Sequence, residues 1–238
     1  MENSPLLYPN WLEESYSLEG EDRVALSLLR GLIDKFEGDI FYVDIGCNDP
    51  IKYNNTYLFY KLGFNGICID PLPESEEKFK KFRKNDLFVK AAITDKEEER
   101  IIQIYESDDA STLDPETQKR YSAKFKEKKK LKVKTQKLQT IFDELNLQDN
   151  LQIPLLSIDV EGYDEIVFSQ ALVSKQNFEI VIIEDKLINL NKPFPQTNIG
   201  QIAKDNDYIM IGKTPLNSIY IKSDSNLFKW IPELMRQK

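Results

Sequence analysis

The chain contains no histidine. That absence removes the Ser-His-Asp and Cys-His hydrolases, His-ligated zinc sites and the commonest general base near neutral pH. Acid–base chemistry must therefore fall to Asp, Glu, Lys, Tyr or Cys. Cysteine is scarce too: Cys47 and Cys68 are the only two. Both sit in or just after apolar runs, where a small reduced thiol packs well. No apolar run is long enough to span a bilayer, and the start Met1-Glu2-Asn3 lacks the basic opening of a signal peptide. These features together predict a cytoplasmic protein. Positive charge is also in deficit. A formal net charge of −8 argues against a nucleic-acid binder, whose affinity rests on neutralising phosphates.

What is present fits one large α/β domain better than two, for 238 residues of ordinary hydrophobic content. Residues 1–36 read as an arm (Pro5, Pro9 and Trp11) followed by a helix, residues 37–222 as the core, and residues 223–238 as a tail. The tail carries Leu227, Phe228, Trp230 and Ile231, apolar enough to dock on the body or on a second copy, as in a homo-oligomer.

The organising stretch is residues 40–70. An apolar run from Ile40 to Val43 stops at Asp44-Ile45-Gly46-Cys47-Asn48, and a second run, Gly66-Ile67-Cys68-Ile69, stops at Asp70-Pro71. Residues 53–62 between them have helical spacing. This spells strand, turn, helix, strand, with an acid at the tip of each strand. Ligands of open parallel sheets bind beyond the carboxyl ends of the strands, where Gly46 gives close backbone approach and Asp70 can accept from two ribose hydroxyls. The pattern predicts a nucleoside site.

Further along, helices are expected over residues 19–36, 73–85, 138–145, 163–172 and 199–206. Strands are expected over 87–92, 101–105, 155–158 and 179–183, with a terminal hairpin over 208–212 and 218–222. Near-continuous apolar runs fit strands covered on both faces. The region near 106–137 reads as an insertion with a lysine run from Lys124 to Lys134. That run is either a solvated excursion or a guide for an anionic acceptor.

Several motifs carry a family resemblance. They are Ser15 to Asp22 (SYSLEGED), Asp44-Ile45-Gly46, Asn54-Asn55-Thr56-Tyr57, Gly63-Phe64-Asn65-Gly66, Ile69-Asp70-Pro71 and Ser157 to Tyr163 (SIDVEGY). Together and in this order, the chain resembles FkbM-type S-adenosylmethionine-dependent methyltransferases. The resemblance implies a Rossmann-like class I methyltransferase fold: a mostly parallel seven-stranded sheet with helices on both faces and one antiparallel strand near its end. It implies S-adenosylmethionine as cofactor. Asp44, Gly46 and Asn48 (where the family often has a second glycine) would line its methionine and ribose side, Asp70 and Pro71 its ribose, and Ala91 and Ala92 its adenine, with Asp159 alongside. Ser111-Thr112-Leu113 would form a nearby loop, and Glu21 or Asp22 could face the mouth.

Four predicted strands end in acids at one edge: Asp44, Asp70, Asp159 and Glu184. Clustered like charges need cations or donors, which a sulfonium, an ammonium and ribose hydroxyls supply. For the transfer itself, Asp159 is the first candidate base, with Glu161 beside it and Lys186 or Tyr163 in reserve. The alternative is a divalent metal such as magnesium on Asp159, Glu184 and Asp185, acidifying the acceptor hydroxyl. The expected acceptor is a small molecule or carbohydrate, anionic if the lysine run guides it, and the expected reaction is O-methylation of a sugar hydroxyl on a glycan precursor or natural product. A nicotinamide-dependent oxidoreductase or epimerase is the rival enzyme, although its fingerprint needs glycine where Asn48 and Ile51 stand. A non-catalytic binding protein on the same fold is the other rival.

Overall fold

Seven strands build the main sheet. In spatial order they are β3 (Leu87–Val89), β2 (Gly66–Ile69), β1 (Tyr42–Ile45), β8 (Gln152–Ile158), β9 (Asn177–Glu184), β11 (Asn217–Lys222) and β10 (Tyr208–Lys213). The computed structural model describes residues 14–33, 35–107, 110–186, 197–225 and 227. The arm residues Pro5, Pro9 and Trp11 and the tail residues Phe228, Trp230 and Ile231 lie outside them. The expected seven strands are present in a mixed sheet. The five from β3 to β9 run parallel, while β11 opposes both β9 and β10. Only a few residues join β10 to β11, too few for a parallel crossover.

The unalternating apolar runs have the predicted cause. Along β9, Ile180 and Ile182 enter one core while Val181 and Ile183 enter the other. The first core is covered by α1 (Glu21–Ile33), α2 (Tyr57–Lys61) and α3 (Pro73–Phe82), through Leu29, Phe59 and Phe79. The second is covered by α5 (Leu138–Glu144), α6 (Asp164–Leu172) and α7 (Asn198–Asp205), through Phe142, Phe168 and Ala203. Each fully buried side chain of this size contributes about 1.5–3 kcal/mol. No helix among the described residues is long and apolar enough to cross a membrane.

A four-stranded sheet of β4 (Ala92–Ile93), β7 (Glu127–Gln136), β5 (Glu99–Tyr105) and β6 (Ser111–Thr112), with α4 (Pro115–Ser122), stands beside the main one. It has its own small core of Ala92, Ile102, Ile104, Leu113 and Val133. The expected strand over 87–92 therefore splits, and its second part joins this sheet. Most of the lysine run lies on β7, whose only pairing with β4 is at Thr135 and Gln136. Over the rest of its length β7 pairs with β5 alone, so it is an edge strand. Exposed Lys128, Lys130, Lys132 and Lys134 alternate with Leu131 and buried Val133. Lysines on an exposed edge oppose strand addition, which accounts for the run structurally. Two of them already have partners, Lys132 on Glu99 at 2.5 Å and Lys130 on Glu127 at 3.5 Å.

Candidate active site

The carboxyl ends of β1, β2, β8 and β9 open onto a cavity of about 270 Å³, with Ile93, Ile102 and Leu113 of the smaller sheet region as its apolar wall. Its floor is the turn after β1. Gly46 has φ +81°, and a Cβ there would stand 1.8 Å from the Asp159 carbonyl oxygen. The ladder tightens this approach, since the Asp159 amide donates to the Ile45 carbonyl at 2.9 Å. Asn48 follows with φ 41°. Asparagine tolerates this left-handed conformation better than most residues, so it can hold the turn without glycine. The turn presents the Asn48 amide to Asp70 Oδ2 at 3.1 Å, while the Leu72 amide donates to Oδ1 at 2.8 Å. Asp70 is thereby oriented from both sides at the cavity edge. Burial pushes its carboxyl up to about 6, against the pull of these amides and of Ser75.

Asp44 differs from the expectation. It lies inside β1 and not at its tip, and it is 4% exposed. Its Oδ2 accepts from Thr56 Oγ1 at 2.7 Å and Asn54 Nδ2 at 3.0 Å. This arrangement shortens the expected helix over 53–62 to Tyr57–Lys61. Tyr53 turns with φ 55°, and Asn54 spends its side chain on Asp44 and on the Cys47 and Asp49 carbonyls. Behind Asn54 and Thr56 stands Arg83, 1% exposed. The sequence reading missed it among the lysines of α3. Its signal was a lone arginine after Phe79 in a helix otherwise basic through lysine.

The second acidic group lies between β8 and α6. The Asp159 carboxylate faces the cavity and has no hydrogen-bond partner among the described residues. Asp159 is an exposed residue at the cavity mouth, yet the cleft walls crowding its carboxyl raise it above the ordinary range, and Glu184, Glu161 and Asp164 add to this while Lys186 opposes it. Glu184, the last residue of β9, is pushed up to about 8 by burial and by Glu161 and Asp164. Lys186 ion-pairs with Glu184, and with Glu161 at 3.2 Å. Glu161 has φ 52°. It also accepts from Tyr121 of α4, and its carbonyl accepts from Thr112 at 2.7 Å. Asp164 holds the loop together, accepting from the Val160 and Gly162 amides at 3.0 Å each.

Asp44, Gly46, Asn48, Asp70, Pro71, Ala91, Ala92, Asp159, Glu161, Tyr163, Glu184 and Lys186 thus all line one cavity, together with Ser111, Thr112 and Leu113. Asp185 does not. It is buried beneath the sheet edge, where Ser218 donates at 2.7 Å and Thr197 at 3.2 Å, and Lys213 lies 3.7 Å away. The expected metal set of Asp159, Glu184 and Asp185 is therefore not assembled. Strand alternation turns neighbouring side chains to opposite sides, so Glu184 and Asp185 cannot share one ion. The carboxylates that do meet are Asp159, Asp164 and Glu184, with oxygens within 4.8 Å of one another. Asp164 is committed to backbone amides there, and Lys186 already supplies a counter-charge. Glu21 and Asp22 also stay away from the lining. Glu21 accepts from Asn217 at 2.6 Å, and Asp22 binds Ser15, Tyr16 and Ser17. The sequence reading gave no role to Tyr121, Asp164, Leu18, Tyr53 and Asn217.

A family model described as the methyltransferase FkbM domain matches residues 44–210, well over half of the chain. No curated protein sequence matches. Among solved structures the chain is similar to one titled "Crystal structure of monomeric WbdD", with a TM-score of 0.47 and 11% identity. That alignment covers 92% of this chain and 45% of the other, so the chain spans less than half of that protein's length. The family match runs from Asp44, within β1, through the β1 turn, Asp70 and the Asp159–Asp164 loop to β10, and on that match the chain belongs to the FkbM methyltransferase family.

Proposed function

We propose that this methyltransferase moves a methyl group from S-adenosylmethionine to an acceptor oxygen in the cavity, with a sugar hydroxyl on a glycan precursor or natural product as the acceptor class. The observation that carries the reading is Asp159, a carboxylate facing the cavity with no hydrogen-bond partner among the described residues and with other acids around it. The residues present fit the methyl donor. Gly46 leaves backbone where a side chain would collide, Asp70 offers an oriented carboxylate for two hydroxyls, and Ala91, Ile93 and Ile102 offer an apolar wall for a base. The cavity's excess negative charge suits a cationic ligand.

Bound S-adenosylmethionine supplies an electrophilic methyl group on a positively charged sulfur. The chain's own contribution is alignment and proton removal. Asp70 and the Gly46 turn hold one end of the site, so an acceptor held against Tyr163 and Lys186 can be presented in line. Asp159 takes the acceptor's proton as the new bond forms. Its neighbours Glu184 and Glu161 make it a stronger base than a free carboxylate, and Lys186 keeps the group from holding a full excess of negative charge.

The test is Asp159→Asn, followed by release of S-adenosylhomocysteine over a panel of sugar acceptors. The expected result is a fall in kcat of about 10²–10⁴-fold with cofactor affinity near normal. Near-wild-type turnover in this variant would remove Asp159 as the base.

A further inference from the structure

The cofactor side of the cavity rests on a buried cation that does not itself line the site. Arg83 ends α3, and its guanidinium is enclosed by the rings of Tyr42, Tyr60 and Phe79, each centred 5.1–5.2 Å from it. Among the described residues its hydrogen bonds all lead to the nucleoside edge or to the strand beneath that edge. Nη1 and Nη2 both donate to Thr56 Oγ1 at 3.0 Å, and Nη1 also donates to Asn54 Oδ1 at 3.0 Å. Thr56 and Asn54 pass on what they receive, since the same hydroxyl and the same side-chain amide donate to Asp44. On its other side Nε donates to Asp86 Oδ2 at 2.6 Å. Asp86 in turn accepts from the Gly66 amide at 2.9 Å and from Tyr42 Oη at 2.7 Å. Gly66 opens β2, the strand that ends one residue before Asp70.

We propose that Arg83 is a positioning residue of the cofactor site: through Thr56 and Asn54 it keeps Asp44 an oriented carboxylate, and through Asp86 it fixes the strand that delivers Asp70. This rests on the methyl-donor reading given above and extends it to a residue outside the cavity. The physical need is plain. A buried carboxylate with only neutral donors is costly to keep ionised, whereas Arg83 polarises both donors at once and places a positive charge behind them. The other titratable groups near Asp44 are Asp70, Asp86, Cys47 and Cys68. The two acids repel it, and both thiols are held neutral by burial, so Arg83 supplies the compensating charge on this side. Burial raises the Asp44 carboxyl, and Arg83 is the largest influence pulling it back. Lysine is a poor replacement, because its three donors share one nitrogen whereas Arg83 reaches Asp86, Asn54 and Thr56 from three nitrogens of a planar fork.

The test uses the full chain with Arg83→Met and, because that variant removes a buried charge, Thr56→Val as a milder cut between Arg83 and Asp44. Two readouts are taken across the whole pH range over which the protein stays folded: calorimetry with S-adenosylhomocysteine, and the carbon NMR titration of the Asp44 carboxyl. In both variants Asp44 should titrate at higher pH than in the wild type. Affinity should fall roughly 10–100-fold at neutral pH, the loss expected for hydrogen bonds to a charged group, and recover in part as pH rises. Arg83→Lys should hold the Asp44 titration closer to wild type than Arg83→Met does. An unmoved Asp44 titration in folded Thr56→Val, or an affinity loss equal at every pH, would overturn the proposal. If wild-type protein shows no heat with S-adenosylhomocysteine, the methyl-donor reading fails, and the NMR titration still decides the link from Arg83 to Asp44.

Discussion

Replacing Gly46 by alanine separates two costs that usually arrive together. The new residue would have to hold φ near +81°, and its Cβ would stand 1.8 Å from the Asp159 carbonyl oxygen and 3.3 Å from Val160 Cγ1. Gly63 provides the control. It has φ +94° but nothing within 4 Å of an added Cβ, so Gly63→Ala carries the backbone cost alone. That cost is about 1–2 kcal/mol for a left-handed non-glycine residue. At Gly46 the carbonyl must also retreat by roughly 1.5 Å to reach van der Waals contact, and overpacking of this kind adds about 1–3 kcal/mol. For a chain of this length each kcal/mol lowers Tm by about 2–4 °C. Gly63→Ala should therefore lose about 2–8 °C, and Gly46→Ala about 4–20 °C. The retreat would also displace Asp159 and loosen the turn that orients Asp70, so Gly46→Ala should lose S-adenosylhomocysteine affinity while Gly63→Ala keeps it. Thermal melting and calorimetry on the pair decide the matter. Equal Tm losses with equal affinities would refute the close approach as the reason for glycine here.

Two further outcomes follow from the charges. Burial and the neighbouring Glu161 and Asp164 push Glu184 in the folded protein up to about 8, above its unfolded value, so the folded protein binds the extra proton and this group's contribution to stability declines as pH rises from about 4 to 8. Glu184→Gln should accordingly flatten the fall of Tm across that window, and an unchanged slope would contradict the assignment. On β7, Lys130→Val with Lys132→Val should promote self-association, seen by sedimentation, because the edge loses its charge. The same pair should leave affinity for S-adenosylhomocysteine alone.

Much of this was legible in the chain because strand cores and turn chemistry leave local marks. The runs Gly66–Ile69 and Asn177–Glu184 are apolar because both faces are covered, and the acid ending each run lines the cavity edge. What was not legible depended on partners distant in sequence. Asp44 reads as a strand tip until Asn54, Thr56 and Arg83 are seen to enclose it. Glu184 and Asp185 read as a pair of ligands until the pleat sends Asp185 to Ser218. The lysines of β7 disguised a ten-residue strand, because lysine is a poor strand former and its place here comes from pairing with β5.

The central claim is that the Gly46–Asp70 edge holds the methyl donor. Calorimetry of the wild-type chain with S-adenosylhomocysteine, with NAD as the comparison and Asp70→Ala as the variant, tests it most directly. The account predicts binding of S-adenosylhomocysteine and none of NAD, with affinity weakened roughly 10–100-fold in Asp70→Ala. Binding of NAD in preference, or an Asp70→Ala affinity equal to wild type, would contradict it.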